Sequence, residues 1–158
     1  MTKHEEKAAA LFYQGYNCSQ AVFCAFAEEL GFDERQAFAL SASFGGGMGR
    51  LRQVCGTLSG AFLVLGCLYG NYRPGDNAGK AALYARVREI AAAFEKESGS
   101  ILCAELLRAH GADPAHGGTP QERNEEFYKK RRVCVDSVAL SARLLDEYIE
   151  SHKKEENT

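Results

Sequence analysis

The chain has 158 residues, 46% of them hydrophobic and 25% charged, with a formal net charge of −2. That is the length of one domain with an ordinary core, and the charge offers no broad positive field for nucleic acid or an anionic membrane. Six cysteines follow an N-terminus, MTKHEEKAAA, that is charged and lacks an apolar leader core. The expectation is a cytoplasmic protein in a reducing compartment, where cysteines are more often buried thiols, metal ligands or redox groups than bridges.

In chain order, Lys3 to Gln14 reads as a first helix with Ala8, Leu11 and Phe12 as its apolar stripe, stopped by Gly15. Asn17 reads as the N-cap of a second helix that starts at Cys18 and ends at Gly31, with Val22, Ala25, Phe26 and Leu30 inward. Asp33 caps a third, from about Glu34 to Ser43, with Phe38 inward. A glycine-rich loop follows, holding Gly45, Gly46, Gly47 and Gly49. It has no Lys-Ser/Thr ending and no preceding strand, so it is not a phosphate-binding loop of the known patterns. It reads as a tight connection between packed helices or as a cover for the following cysteine, offering amides to a cofactor or anion.

The next stretch, roughly Val54 to Tyr69, is apolar almost all round and reads as the buried central helix of the domain. It contains Thr57 and Ser59 and is short for a membrane span, so no span is expected. Gly56 and Gly60, four apart, share a face that lets another backbone come close. After the turn-rich NYRPGDNAG, Asp76 or Asn77 caps a long helix to about Lys96 with Leu83, Val87, Ile90 and Phe94 as its stripe. Gly99 breaks it. Ser100 caps another helix, Ile101 to His110, with Cys103, Leu106 and Leu107 inward. His110 to Pro120 reads as an exposed loop. A last helix runs from about Glu122 to Ser151, with Cys134, Val138, Ala142, Leu145 and Ile149 as its stripe, and a polar tail frays from about residue 152. No segment alternates like a strand. The fold class is therefore all-α, a single-domain multi-helix bundle over 1–158.

Cys18 and Cys55 each fall in the first turn of a predicted helix, where exposed amides and the helix dipole favour a thiolate. Arg50 and Arg52 stand just before Cys55 and can add positive charge. Cys103 lies near a helix start, and Cys134 follows the basic run Lys129 to Arg132. Cys24 and Cys67 look like core filler. No C-x-x-C, C-x-x-C-H or H-E-x-x-H occurs, so any site must be assembled from different helices. The four histidines read as surface groups, with His110 and His116 as weak candidates for accessory ligands.

The ordered set GYNCSQA (Gly15 to Ala21), FGGGMG (Phe44 to Gly49), C-G-x-x-x-G-A (Cys55 to Ala61), GSILC-x-ELL (Gly99 to Leu107) and Cys134 resembles the C_GCAxxG_C_C family, known by four characteristic cysteines. The matching positions are Cys18, Cys55, Cys103 and Cys134. Thr57 stands where that family usually has alanine. The resemblance implies a small cytosolic helical protein, thought to be redox-active and often encoded near transporters, with an unknown redox partner. Similar domains are associated with split-Soret-type cytochromes, where iron–sulfur binding has been considered; this chain has no haem attachment sequence.

The leading expectation is thus a cysteine-based redox or metal-binding protein. In one form the four cysteines are thiolate ligands of an iron–sulfur cluster or zinc. In the other, Cys55 attacks and Cys18 resolves, or Cys103 and Cys134 pair. A second reading is a small-ligand-binding or interaction module whose groove is lined by the glycine loop with Phe44, Tyr69 and Tyr72. A third is a homo-oligomer joined through the Gly56/Gly60 face.

Overall fold

The structure is a computed structural model that describes residues 1–156. Eight α-helices follow one another: α1 (Lys3–Tyr13), α2 (Cys18–Ala27), α3 (Glu34–Ser41), α4 (Gly56–Tyr69), α5 (Asn77–Ser98), α6 (Cys103–Ala109), α7 (Glu125–Lys130) and α8 (Arg132–Glu156). No strand occurs among the described residues, and the all-α expectation holds. No described helix is long and apolar enough to cross a membrane.

The first three helices start on side-chain caps of one kind. Thr2, Asn17 and Asp33 each accept a hydrogen bond from the backbone three residues on, and Glu5, Gln20 and Gln36 reach back to the cap's own amide. Each such box satisfies two otherwise orphaned amides. Gly15, Gly31 and Gly99 follow their helices with φ of 99°, 87° and 94°, the left-handed region that glycine enters without a Cβ penalty.

The core lies between α2 and α4, with α1 and α8 packed around them. Eight side chains of α2 are buried, and Phe23 is fully enclosed. Gly56 and Gly60 do face a neighbouring backbone. A Cβ on Gly60 would stand 2.6 Å from the Ser19 carbonyl oxygen, and one on Gly56 would collide with the Cys18 sulfur. That face is therefore filled by α2 of the same chain, and the oligomer reading through it is overturned. The expected central helix is enclosed all round only in its first turns, and beyond them one side stays buried through Val64 and Leu65. Gly56 to Ala61 are buried, whereas Phe62 and Leu63 are half-buried and Leu68 is exposed.

Several boundaries differ from expectation. Phe38 points outward, 43% exposed, edge-on to Tyr16, while Ala37 and Ser41 form the inner face of α3. The long C-terminal helix is interrupted. Its first part is the short α7, capped by Asn124, and the chain turns at Arg131 before α8 begins. Helix α8 continues to Glu156, so the tail expected to fray from 152 is helical that far, and its last two residues lie outside the described ones. The half-polar α5 buries only Ile90 and Phe94, with Leu83 and Val87 half-buried at its margin.

Two glycines on α4 should respond oppositely to the same change. Gly60→Ala forces backbone apart and should destabilise the protein by about 1–3 kcal/mol, the usual cost of overpacking. Gly66 has nothing within 4 Å of a built Cβ, so Gly66→Ala should stabilise it by about 1 kcal/mol through helix propensity. Urea midpoints of the two variants check both signs.

Candidate functional site

The four family-matching cysteines come together. Cys18, Cys55, Cys103 and Cys134 all line one small cavity of about 50 Å³, with Gly46 and Arg52 beside them. Each arrives on the N-terminal end of a different helix. Cys18 is the first residue of α2, Cys103 the first of α6, and Cys134 the third of α8. Cys55 is the N-cap of α4 rather than a residue of its first turn, because the helix starts at Gly56. Cys134 reaches such an end only because of the break at Arg131, whose carbonyl accepts from the Cys134 amide at 2.9 Å.

A short backbone pairing sets Cys55 next to Cys103. Val54 and Leu102 form an isolated antiparallel bridge. The Cys55 amide donates to the Ile101 carbonyl at 2.8 Å, and the Cys103 amide donates to the Gln53 carbonyl at 2.7 Å. Helix α6 therefore starts at Cys103, not Ile101. Ser100 sits before it, accepting from the Leu102 amide and donating to Glu105.

The glycine loop closes the cavity. Gly46, Gly47, Met48, Gly49 and Arg50 form five consecutive residues with positive φ, between 54° and 71°, and Arg52 adds a sixth at 59°. Left-handed backbone costs a non-glycine residue about 1–2 kcal/mol, so Met48, Arg50 and Arg52 are held there by their surroundings. The turn holds itself through bonds such as Arg52 amide to Gly46 carbonyl and Gln53 amide to Gly47 carbonyl. A Cβ on Gly47 would stand 2.7 Å from that of Cys103. The Gly46 amide bonds the Cys18 sulfur, so the loop acts as a cover for the thiols, one of its two expected forms.

Burial overrides the helix ends. It pushes the thiols of Cys18, Cys55 and Cys134 up, Cys134 to about 12. Cys18 and Cys134 keep some residue surface exposed, but at their sulfurs desolvation is the largest effect. The neighbouring thiols add to it: Cys18 acts on both Cys55 and Cys134, and Cys103 acts on Cys18 and Cys134. Hydrogen bonds from Gly46 and Ser19 to Cys18, from Thr57 to Cys55 and from Arg131 to Cys134 pull the other way. The expectation that helix starts would favour thiolates is thus corrected, since charging a buried sulfur costs more than the dipole returns.

Two positions carry more than the sequence indicated. Thr57 is fully buried, and its hydroxyl lies 3.1 Å from the Cys55 sulfur while accepting from the Ser141 hydroxyl at 2.9 Å. With Ser141 donating to it, its own proton is free for the sulfur. Arg52 is 5% exposed; its Nε donates to the Ala115 carbonyl, and its Nη1 lies 3.6 Å from the Cys103 sulfur. No periodicity marks either role, because the bonds of Thr57 to Ser141 and of Arg52 to Ala115 and Cys103 join segments far apart in the chain.

The remaining expectations sort readily. Cys24 and Cys67 are half-buried and line neither this cavity nor the pocket beside it. His110 bonds the Leu106 carbonyl of its own helix, and His116 is exposed; neither reaches the cysteines. Tyr69 lies at the far end of α4, about 20 Å from the glycine loop at ordinary helical rise, so the groove expected of Phe44, Tyr69 and Tyr72 is not formed. Among the described residues, no group of three or more His, Cys, Asp or Glu side chains has the arrangement of a ready metal site. The sulfurs share a cavity without that geometry.

The fold and this cavity define an all-helical protein with four cysteines gathered from four helices. The chain belongs to the family described as "Putative redox-active protein (C_GCAxxG_C_C)", which matches residues 16–148. Neither a curated protein nor a solved structure matches it.

Two outcomes follow from the buried thiols. An unfolded thiol ionises above about 9, while the folded Cys134 keeps its proton to about 12. The unfolded state then binds fewer protons, so stability is full below 9 and falls as pH rises from 9 to 12, by up to about 1.4 kcal/mol per pH unit per thiol. Denaturation of the reduced protein across that range should show a steeper fall than Cys134→Ser. Separately, Thr57→Val leaves the Ser141 hydroxyl without its acceptor and should cost about 1–3 kcal/mol; the double variant with Ser141→Ala should recover part of it in a urea titration.

Proposed function

We propose that the chain is a cysteine-based redox protein whose working group is the four-thiol cavity. The observation that carries this reading is the convergence of Cys18, Cys55, Cys103 and Cys134 on one cavity of about 50 Å³, in a family described as redox-active. We assign the entry pair to Cys18 and Cys134, because these two also line a second, open pocket, whereas Cys55 and Cys103 line only the inner cavity. This moves the attacking role away from Cys55, which lines only the inner cavity. Arg131 acts against the burial that raises the Cys134 thiol, without overcoming it. Oxidation of two thiols to a disulfide releases two protons and two electrons. A partner disulfide takes them up as it opens to two thiols. Such chemistry suits a reducing, cytoplasmic setting.

A second reading, the ligand form, rests on a specific feature. Neighbouring thiols help to raise Cys18, Cys55 and Cys134, and a cation among them would turn that repulsion into attraction. Four cysteines are the donor set of zinc and iron–sulfur sites. The cavity is on the scale of a few water molecules, which fits a single ion better than a cluster. The glycines Gly45, Gly46, Gly47 and Gly49, expected as cofactor-binding, would then wall the site rather than ligate.

Anaerobic purification, a visible spectrum and assays of iron, zinc and sulfide test the ligand form, and thiol counts before and after reduction test the dithiol form. The dithiol form predicts two or four thiols lost on mild oxidation and recovered on reduction, with at least one pair missing in Cys134→Ser. The ligand form predicts stoichiometric metal that Cys134→Ser releases. A metal-free protein whose four thiols oxidise no differently from Cys24 and Cys67 would contradict both.

A further inference from the structure

The open pocket beside the thiols has a composition at odds with the chain. It encloses about 340 Å³, and four arginines line it: Arg50, Arg52, Arg123 and Arg131. No carboxylate lines it, although the whole chain carries net charge −2. None of the four is ion-paired among the described residues; the ion pairs lie elsewhere. Like charges converge: Arg50 is held below the usual guanidinium range by burial and by Arg52 and Arg131, with Asp113 as an opposing charge nearby. Bringing such groups together is unfavourable unless something negative joins them.

Their hydrogen bonds fix them without neutralising them. Arg50 Nε donates to the Gly117 carbonyl at 2.7 Å, and Arg52 Nε to the Ala115 carbonyl at 3.0 Å. Arg123 donates to the Phe12 and Tyr16 carbonyls and lies 4.5 Å from the Phe12 ring centre. These neutral acceptors hold the guanidinium planes and leave the charge in place. The decisive atom is Arg52 Nη2. It is buried, it has no hydrogen-bond partner, and it belongs to a side chain 95% enclosed at the boundary of pocket and thiol cavity. A buried charged donor without a partner carries a desolvation cost that a ligand acceptor would remove.

We propose that this pocket binds a small oxyanion, a carboxylate- or phosphate-type group, and holds it against Cys18 and Cys134. A guanidinium fork matches two oxygens of such a group at once, and the volume suits a small molecule. The anion's position rests on the reading of Cys18 and Cys134 as the entry pair, and it makes the substrate or effector of that site an anionic molecule. The binding itself needs no redox step.

Calorimetric titration with inorganic phosphate and with succinate, at constant ionic strength set by chloride, tests this on the full reduced chain. The expected result is one saturable site for at least one of the two probes, and their relative affinity identifies the type of oxyanion. Arg52→Gln and Arg50→Gln should each weaken it about tenfold or more, with circular dichroism confirming that both variants fold. Arg50 is only half-buried, so its variant serves if Arg52→Gln does not fold. The unmodified chain separates this proposal from the redox reading: saturable anion binding to a protein whose thiols prove inert to mild oxidation sinks the redox reading alone. No saturable binding above the chloride control, or binding unchanged in Arg50→Gln, overturns the pocket.

Discussion

The close approach of α2 to α4 is the contact on which the site depends. It requires the absence of two side chains, at Gly56 and Gly60, because the Cys18 sulfur and the Ser19 carbonyl occupy the space where their Cβ atoms would be. Once α2 lies that close, Cys18 and Cys55 face one cavity from two helix starts. The bridge between Val54 and Leu102 then sets Cys103 beside Cys55, and the turn at Arg131 brings the start of α8 with Cys134 to the same place. Packing thus creates the cluster; no local ligand motif is needed.

That cluster holds an electrostatic conflict. Helix starts favour negative charge, and so do the arginines and loop amides around the sulfurs. Burial and the other thiols oppose it, and they win in the isolated chain, as the raised pKa of Cys18, Cys55 and Cys134 shows. The balance is set against thiolates but surrounded by groups ready to support them. A change that admits a partner, an anion or a cation therefore acts directly on thiol reactivity. The left-handed glycine turn belongs to this arrangement, since its strained residues Arg50 and Arg52 tie the irregular loop at Ala115 and Gly117 over the pocket. Backbone strain of this sort collects at functional sites.

Much of this was legible in the sequence for local reasons. Caps at Asn17, Asp33 and Asp76 and stops at Gly15, Gly31 and Gly99 announce helix ends by short-range chemistry. The four cysteines were named by the order of the family's motifs, and the Gly56/Gly60 spacing foretold a close neighbour. Other features depend on contacts between distant segments and left no local signal. Phe38 belongs to an apolar pattern yet faces solvent, because the short α3 is anchored through Ala37 and Ser41. The Arg131 break falls inside a run with good helical periodicity. The arginine pocket draws on residues from 50 to 131, and burial, which reverses the expected thiol pKa shift, is a property of the packed chain alone.

The account rests on four particular sulfurs sharing one cavity. Its most direct test is mild oxidation of the folded, metal-free protein with a thiol oxidant, followed by mass-spectrometric mapping of every disulfide formed. Links confined to Cys18, Cys55, Cys103 and Cys134, with Cys24 and Cys67 left as free thiols, are the predicted result. Links that include Cys24 or Cys67 within one chain, formed as fast as any others, would contradict it.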